Sequence, residues 1–279
     1  MTFHTAADYT PEQTELIRAA TLTAATILGD YMDDLAVVGG LVPSLLIPQT
    51  DLPVGADPHV GTMDLDLGLD LAILDNQRYE GIAERLRDSG FAPDISDKGN
   101  DVRQRWIHKH YPMAKIEFLI PPVSADVKPG RLQSLERGLA AFIIEGLEVA
   151  FNNPIHVRLN GVTLFGANAS RTIPVCNPGA FIILKALAFR NRGKRKDAYD
   201  LYYMARNYGS STEDVAAFLK SLSDTAPARR ALEILREDFL HERSLGPMGV
   251  ALFANGIEDA AMQADVVGFI SELLRVTAA

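Results

Sequence analysis

Cysteine is almost missing from this chain: Cys176 is the only one among 279 residues. A lone thiol cannot form an intramolecular disulfide, and a cysteine-based metal site has no second thiolate to draw on. An excess of basic residues is missing too, since 27 Lys and Arg stand against 36 Asp and Glu, for a net charge of −9. That balance excludes a surface that binds polyanions everywhere, so an anionic partner has to meet a local cluster of cations. No uninterrupted apolar run is long enough to span a bilayer. The start, Met-Thr-Phe-His-Thr-Ala-Ala-Asp, lacks the basic segment and apolar run of a signal peptide. Repeats and low-complexity segments are also absent. What remains is an ordinary globular balance, 47% hydrophobic and 23% charged, with enough apolar residues for a real core. The expectation is a soluble, cytoplasmic protein of one large domain or two ordinary ones.

The stretch with most chemistry is His59-Val-Gly-Thr-Met-Asp-Leu-Asp-Leu-Gly-Leu-Asp-Leu71. Met63, Leu65, Leu67 and Leu69 alternate with Asp64 and Asp66, a period of two that predicts a strand with one face in a core. Both aspartates then point the same way, and like charges so close are disfavoured without a counter-charge. A divalent cation is the usual reason to keep them, because hard ions such as Mg²⁺ take carboxylate and phosphate oxygens. The alternative is a half-exposed edge strand with two solvated aspartates.

Around this strand the pattern predicts a mixed α/β first half. A helix is expected over Pro11–Leu28, with Thr10 and Pro11 at its start. A short buried strand over Leu35–Val38 runs into Gly39-Gly40 and a short helix over Leu41–Ile47. That turn either lets backbone amides approach a phosphate or is a simple glycine turn. Pro48 to Val60 is a polar loop long enough for a lid or insertion, and His59 in it either touches a substrate or, as expected, is a loop histidine with no special task. Asn76–Ser89 is an amphipathic helix. Val102–His108 and Met113–Ile120 read as strands, the second placing Lys115 and Glu117 on one face. Glu117 is then either a third metal-site carboxylate or half of a cross-strand ion pair. Further β-rich pieces are Ala140–Ile144, Leu147–Phe151, Ile155–Leu159 with Asn160-Gly161 as a hairpin turn before Val162–Leu164, and Arg171–Val175.

The composition changes at Asn177. Pro178–Phe189, Lys196–Asn207, Thr212–Ser223, Pro227–Leu240 and Ile257–Val276 are expected helices. The predicted organisation is therefore an α/β domain over 1–176 and a helical domain over 177–279. In the second, Lys185, Arg190, Arg192, Lys194, Arg195 and Lys196 gather six cations around Gly193, with Asp197 and Asp200 three apart on one helical face. This is the best candidate for holding a triphosphate or nucleic acid in an acidic protein; the alternative is a solvated loop laced with ion pairs. Lys185 sits in an otherwise apolar helix; its ammonium is expected to enter a cleft between the halves, facing the Asp64/Asp66 strand, and meet a triphosphate, the alternative being a head that snorkels to water or pairs with Asp197 or Asp200.

Together, Gly39-Gly40, Asp64-Leu-Asp66 and Glu117 resemble the nucleotidyltransferase fold of the DNA-polymerase-β-like superfamily. Lys115-Ile-Glu117, Lys185 and Arg195-Lys-Asp197-Ala-Tyr-Asp200-Leu narrow this to a likeness with the AbiEii/AbiGii toxin-like nucleotidyltransferases, associated with abortive infection and type IV toxin–antitoxin pairs. The likeness covers about residues 35 to 206, and the interval from Gly40 to Asp64 is longer than the superfamily's usual one. It implies an α+β fold: a mixed β-sheet flanked by helices, then a helical carboxy-terminal half. It also implies Mg²⁺, with a second metal possible, on Asp64, Asp66 and Glu117. Nucleotide contacts would fall to Gly39, Gly40, Lys115, Arg190, Arg192 and Asp200, and catalytic roles also to Lys185 and Asp197. The implied reaction moves a nucleoside monophosphate from an NTP to a tRNA end or a protein hydroxyl, with a cognate antitoxin as partner. The alternatives are a small-molecule nucleotidyltransferase of the antibiotic-modifying kind and a degenerate nucleotide-binding module.

Overall fold

The alternating and β-branched stretches of the chain assemble into one mixed sheet, shown by a computed structural model that describes residues 4–50, 52, 56–70, 76–124 and 126–278. Its strands are β1 (Leu35–Val38), β2 (Asp64–Leu69), β3 (Phe91–Ile95), β4 (Asp101–His108), β5 (Tyr111–Ile120), β6 (Leu132–Ser134), β7 (Ala140–Ile143), β8 (Ile155–Val162) and β9 (Asn168–Val175). They lie in the order β3-β4-β5-β2-β1-β9-β8, and β7 joins β5 where β4 no longer pairs with it, carrying β6 outside it. Neighbours β2–β5, β1–β9 and β5–β7 are parallel; the other pairs are antiparallel. The helices are α1 (Pro11–Leu28), α2 (Val42–Leu46), α3 (Asn76–Asp88), α4 (Pro178–Arg192), α5 (Arg195–Asn207), α6 (Thr212–Leu222), α7 (Ala226–Phe239), α8 (Leu245–Ala254) and α9 (Ala260–Ala278). The architecture is α+β, with the helices concentrated in the second half. No described helix is long and apolar enough to cross a membrane.

The chain divides into two compact units. One holds Pro11–Val42 and Thr62–Cys176; the other holds the segment ending at Thr10, Pro43–Gly61 and everything from Asn177 onward. The loop expected over Pro48–Val60 thus belongs with the helical unit, although residues 51 and 53–55 of it lie outside the described ones, as do the first three of the chain.

In the sheet unit the strand period decides the core. Val37, Leu67 and Phe118 are register partners in β1, β2 and β5, as are Leu65 and Ile116, and all five are fully buried. The acidic strand is therefore interior to the sheet, with a neighbour on each side, and the reading of it as a solvated edge is excluded. Helix α1 packs on β5, β8, β9 and α3. Its Thr23 hydroxyl donates to the Ala19 carbonyl at 2.7 Å and accepts the Leu164 amide at 2.8 Å, tying the β8–β9 hairpin to the helix.

Several expectations need correction. Leu147–Phe151 is a 3-10 turn rather than a strand. Gly146 opens it in the left-handed region, and burial at 147, 149 and 150 breaks the period of two. The turn brings Phe151 against Gly68 of β2, where a Cβ would lie 3.3 Å from the ring. Asn160-Gly161 is no turn: both residues pair in the ladder, opposite Ser170 and Ala169, and the chain reverses at Thr163–Ala167. The Thr163 hydroxyl, accepting the Ala167 amide, supplies the local hydrogen bond that makes the turn there. Strand β3 was unsuspected because Pro93 lies inside it, at an edge where the missing amide costs no ladder bond. Helix α8 was hidden by two glycines and a proline, and α9 starts at Ala260, later than expected.

The Thr23 hydroxyl gives a sharp contrast with Thr21, whose own hydroxyl, among the described residues, bonds only its helix, at the Ile17 carbonyl. Thr23→Val leaves a buried amide orphaned and should lower unfolding free energy by about 1–3 kcal/mol. Thr21→Val removes a bond from the Ile17 carbonyl, which still accepts a helix amide, and should change stability by less than about 1 kcal/mol. Urea unfolding of both variants checks the difference.

Candidate active site

The pleat that buries Leu65 and Leu67 turns Asp64 and Asp66 to the opposite face. Register then adds the neighbours. Asp66 lies opposite Glu117 of β5 and Val38 of β1, Asp64 lies opposite Lys115, and Glu117 lies opposite Arg105 of β4. One row across the sheet therefore reads Val38, Asp66, Glu117, Arg105, and the next reads Asp64, Lys115, Ile107. Asp64, Asp66 and Glu117 each offer a carboxylate oxygen within 4.8 Å of the others'. An all-oxygen set of this size fits a hard divalent cation such as Mg²⁺, and the half-buried setting leaves room for substrate or water oxygens to complete the shell.

Local contacts keep these acids in place. Gly39 sits at φ +72, and a Cβ there would fall 1.8 Å from Asp66 Oδ2. The glycine is thus required twice, by the backbone and by the carboxylate occupying its side-chain space. Gly40 is buried in the same 3-10 turn, Gly39–Leu41. The Thr62 hydroxyl donates to Asp64 Oδ1 at 3.0 Å. Arg105 Nε donates to Glu117 Oε1 at 2.6 Å. Burial works against the Arg105 charge, but the bonds to Glu117 and Asp94 outweigh it and raise its pKa.

The helical unit gathers a different set. Lys185 Nζ lies 3.0 Å from Asp197 Oδ1 and 2.7 Å from Asp200 Oδ2. Arg192 forks onto both oxygens of Asp197, at 2.6 and 2.7 Å, and Lys196 Nζ meets Asp200 Oδ1 at 2.7 Å. Burial opposes the charge on Lys185, yet Asp200 and Asp197 outweigh it and hold the ammonium well above the ordinary lysine range. Burial likewise opposes the Asp200 carboxylate, and Lys185 and Lys196 hold it far below the ordinary range. Lys196 shifts the other way, because for it burial prevails over Asp200. Three cations thus face two carboxylates. Arg190, expected with this group, instead pairs with Glu237 and Asp238 of α7.

His59 was expected to be an idle loop residue, and the structure gives it a definite place. Its side chain is buried, with Nε2 3.0 Å from Asp200 Oδ1, while Nδ1 accepts the Gly61 amide at 3.1 Å and lies 3.1 Å from the Ser44 hydroxyl. These partners put the proton on Nε2 and leave the ring neutral. Tyr199 stacks on it and Tyr203 meets it edge-on. Burial pushes its pKa down to about 4, with Asp200 pulling the other way. The segment before the acidic strand is thereby fastened to α5. The sequence offered one sign of this, a histidine in a loop too long to be a simple connection.

A family model described as nucleotidyl transferase AbiEii toxin, Type IV TA system, matches residues 33–279. No curated protein matches the chain.

Two outcomes follow from this geometry. Gly39→Ala imposes a left-handed alanine costing about 1–2 kcal/mol and drives Asp66 from its position. The variant should stay folded while its affinity for Tb³⁺, read by luminescence, drops by at least about tenfold. For His59, the unfolded ring takes up its proton near pH 6.5 and the folded ring only near pH 4. Between these values acid favours the unfolded chain, so this contribution is complete above pH 6.5 and is lost as pH falls towards 4. It amounts to roughly 3 kcal/mol. In urea unfolding across that window, His59→Gln should show a pH slope shallower than wild type by about one proton.

Proposed function

Since the chain belongs to the AbiEii nucleotidyl transferase toxin family of type IV toxin–antitoxin systems, we propose that it moves a nucleoside monophosphate from an NTP to a hydroxyl on a macromolecule, a tRNA end or a protein. The observation that carries the reading is the set Asp64, Asp66 and Glu117, three carboxylates converging on one sheet face. They are the proposed Mg²⁺ ligands. Bound there, the ion would polarise phosphoryl oxygens and offset their charge.

The protein's own groups take the remaining tasks. In this reading Glu117 is also the base that draws the proton from the acceptor hydroxyl, as the hydroxyl oxygen bonds to the α-phosphorus and the bond to pyrophosphate breaks. Lys115, beside Asp64 in the register, supplies a cation for phosphate oxygens. Gly39 supports the reaction by seating Asp66, and Gly40 by shaping the same turn. In the helical unit the excess of cations over carboxylates around Lys185, Arg192 and Lys196 suits polyphosphate. Asp197 and Asp200 set the positions of those cations, while Arg190, engaged by Glu237 and Asp238, stands outside the set. The family carries with it a cognate antitoxin as partner.

Incubation with each labelled NTP, Mg²⁺ and total tRNA or cell lysate tests the proposal. Label should enter tRNA or protein with wild type and be abolished by Asp66→Asn, with an unchanged circular dichroism spectrum, because removing one of several like charges relieves repulsion. Wild-type transfer by Asp66→Asn would remove the metal assignment. Label entering only an added aminosugar would move the protein to small-molecule modification, and no label at all, with NTP still bound in a calorimetric titration, would make it a nucleotide-binding module.

A further inference from the structure

We propose that Arg105 is the positioning residue of the carboxylate face: it clamps one oxygen of Glu117 and so presents the other to the metal. The proposal rests on reading that face as a metal site. Arg105 stands on β4 directly opposite Glu117 on β5. Gln104, Trp106 and His108 on the same strand are buried towards the core, so Arg105 belongs to the acidic side. Its Nε takes Glu117 Oε1 at 2.6 Å, while Nη1 lies 3.4 Å from Asp94 Oδ2 on β3. The β3–β4 register shifts between Pro93 and Asp94, so that Arg105 lies within the stretch of β4 that the shift skips and Asp94 comes within reach of it. The guanidinium is thereby braced from two strands.

Three features set this pair apart from an ordinary surface ion pair. The side chains are 34% and 18% exposed, so solvent screens them less than a free surface pair. The bond is short and charge-assisted, the class that fixes orientation as well as energy. And the clamped carboxylate is one of the three that converge within 4.8 Å, so its cation offsets the repulsion that would otherwise splay them. With Oε1 engaged, Oε2 has no hydrogen bond from the described residues and is the oxygen left for a ligand. Arg105 acts through Glu117 and is not assigned contact with the substrate.

Tb³⁺ titration of the metal-free protein tests this without any transfer assay. Arg105→Ala should lose about 10–100-fold in affinity, the usual effect of removing a group that orients a metal ligand. Arg105→Lys should fall between wild type and the alanine variant, since it restores charge without the fork. Guanidinium ion at tens of millimolar should recover part of the affinity of Arg105→Ala and leave Arg105→Lys unchanged. Asp94→Asn, at the longer contact, should lose less than Arg105→Ala. In metal-free protein the Arg105 Nε–H resonance should move on Glu117→Gln.

Wild-type Tb³⁺ affinity in Arg105→Ala would overturn the proposal. So would a loss that neither lysine nor guanidinium recovers, since that marks a role in folding alone. If wild type itself binds no Tb³⁺, the metal site falls and the positioning role falls with it. Failure of the transferase reading looks different: Arg105 governs Tb³⁺ affinity as expected, yet no labelled nucleotide is transferred.

Discussion

Mutual repulsion among like charges is the constraint on which the sheet unit is built. Three carboxylates brought within 4.8 Å resist one another, and a strand left to itself would turn them apart. Burial of Leu65, Leu67, Ile116 and Phe118 on the reverse face fixes the strands so that they cannot. A one-residue slip would carry acids into the core and leucines into water. The hydrophobic effect on one side thus sustains an unfavourable charge arrangement on the other. The local devices then refine it: a glycine that vacates space for Asp66, a threonine that donates to Asp64, and a guanidinium that grips Glu117.

In the helical unit the electrostatic problem is the opposite one. Asp200 is fully buried, and a buried carboxylate is tolerated only with partners around it. It has Lys185, Lys196 and the neutral imidazole of His59. Because the two ammonium groups already answer its charge, burial dominates His59 and the ring stays unprotonated. The same aspartate therefore performs two structural tasks. It carries positive charge into the packed interior of α4 and α5, and it anchors the segment containing His59.

How much of this was legible in the sequence depends on whether the information is local. The acidic strand declared itself because a period of two shows directly which residues share a face, and the partnership of Asp66 with Glu117 needed only two such strands side by side. Lys185 declared itself because an ammonium in an apolar helix demands a counter-charge. The roles of Arg105 and His59 were hidden for the complementary reason. Nothing near Arg105 in sequence says that it will face Glu117 across a ladder, and His59 meets Asp200 across 141 positions. Gly39 was legible as a turn and not as the seat of an aspartate side chain. The mistaken strand at Leu147–Phe151 shows the limit of composition: apolar residues there are buried by a tight helical turn, which only Gly146 foreshadows.

The discontinuity of the helical unit has a consequence for the newborn protein. Ribosomes deliver the amino terminus first, and domains settle as their residues emerge. Every strand of the sheet, and with it the whole carboxylate set, has been synthesised once Val175 is added. The helices that surround residues 43–61 are then still untranslated. A nascent chain at that stage holds its acids in register while His59 has no aspartate to meet and Lys185 does not yet exist. Truncation between the end of β9 and Lys185 of α4 leaves the protein in that state for good. The cations around Lys185 are made after the whole carboxylate set, and a premature stop between the two would leave a chain with one chemistry and not the other.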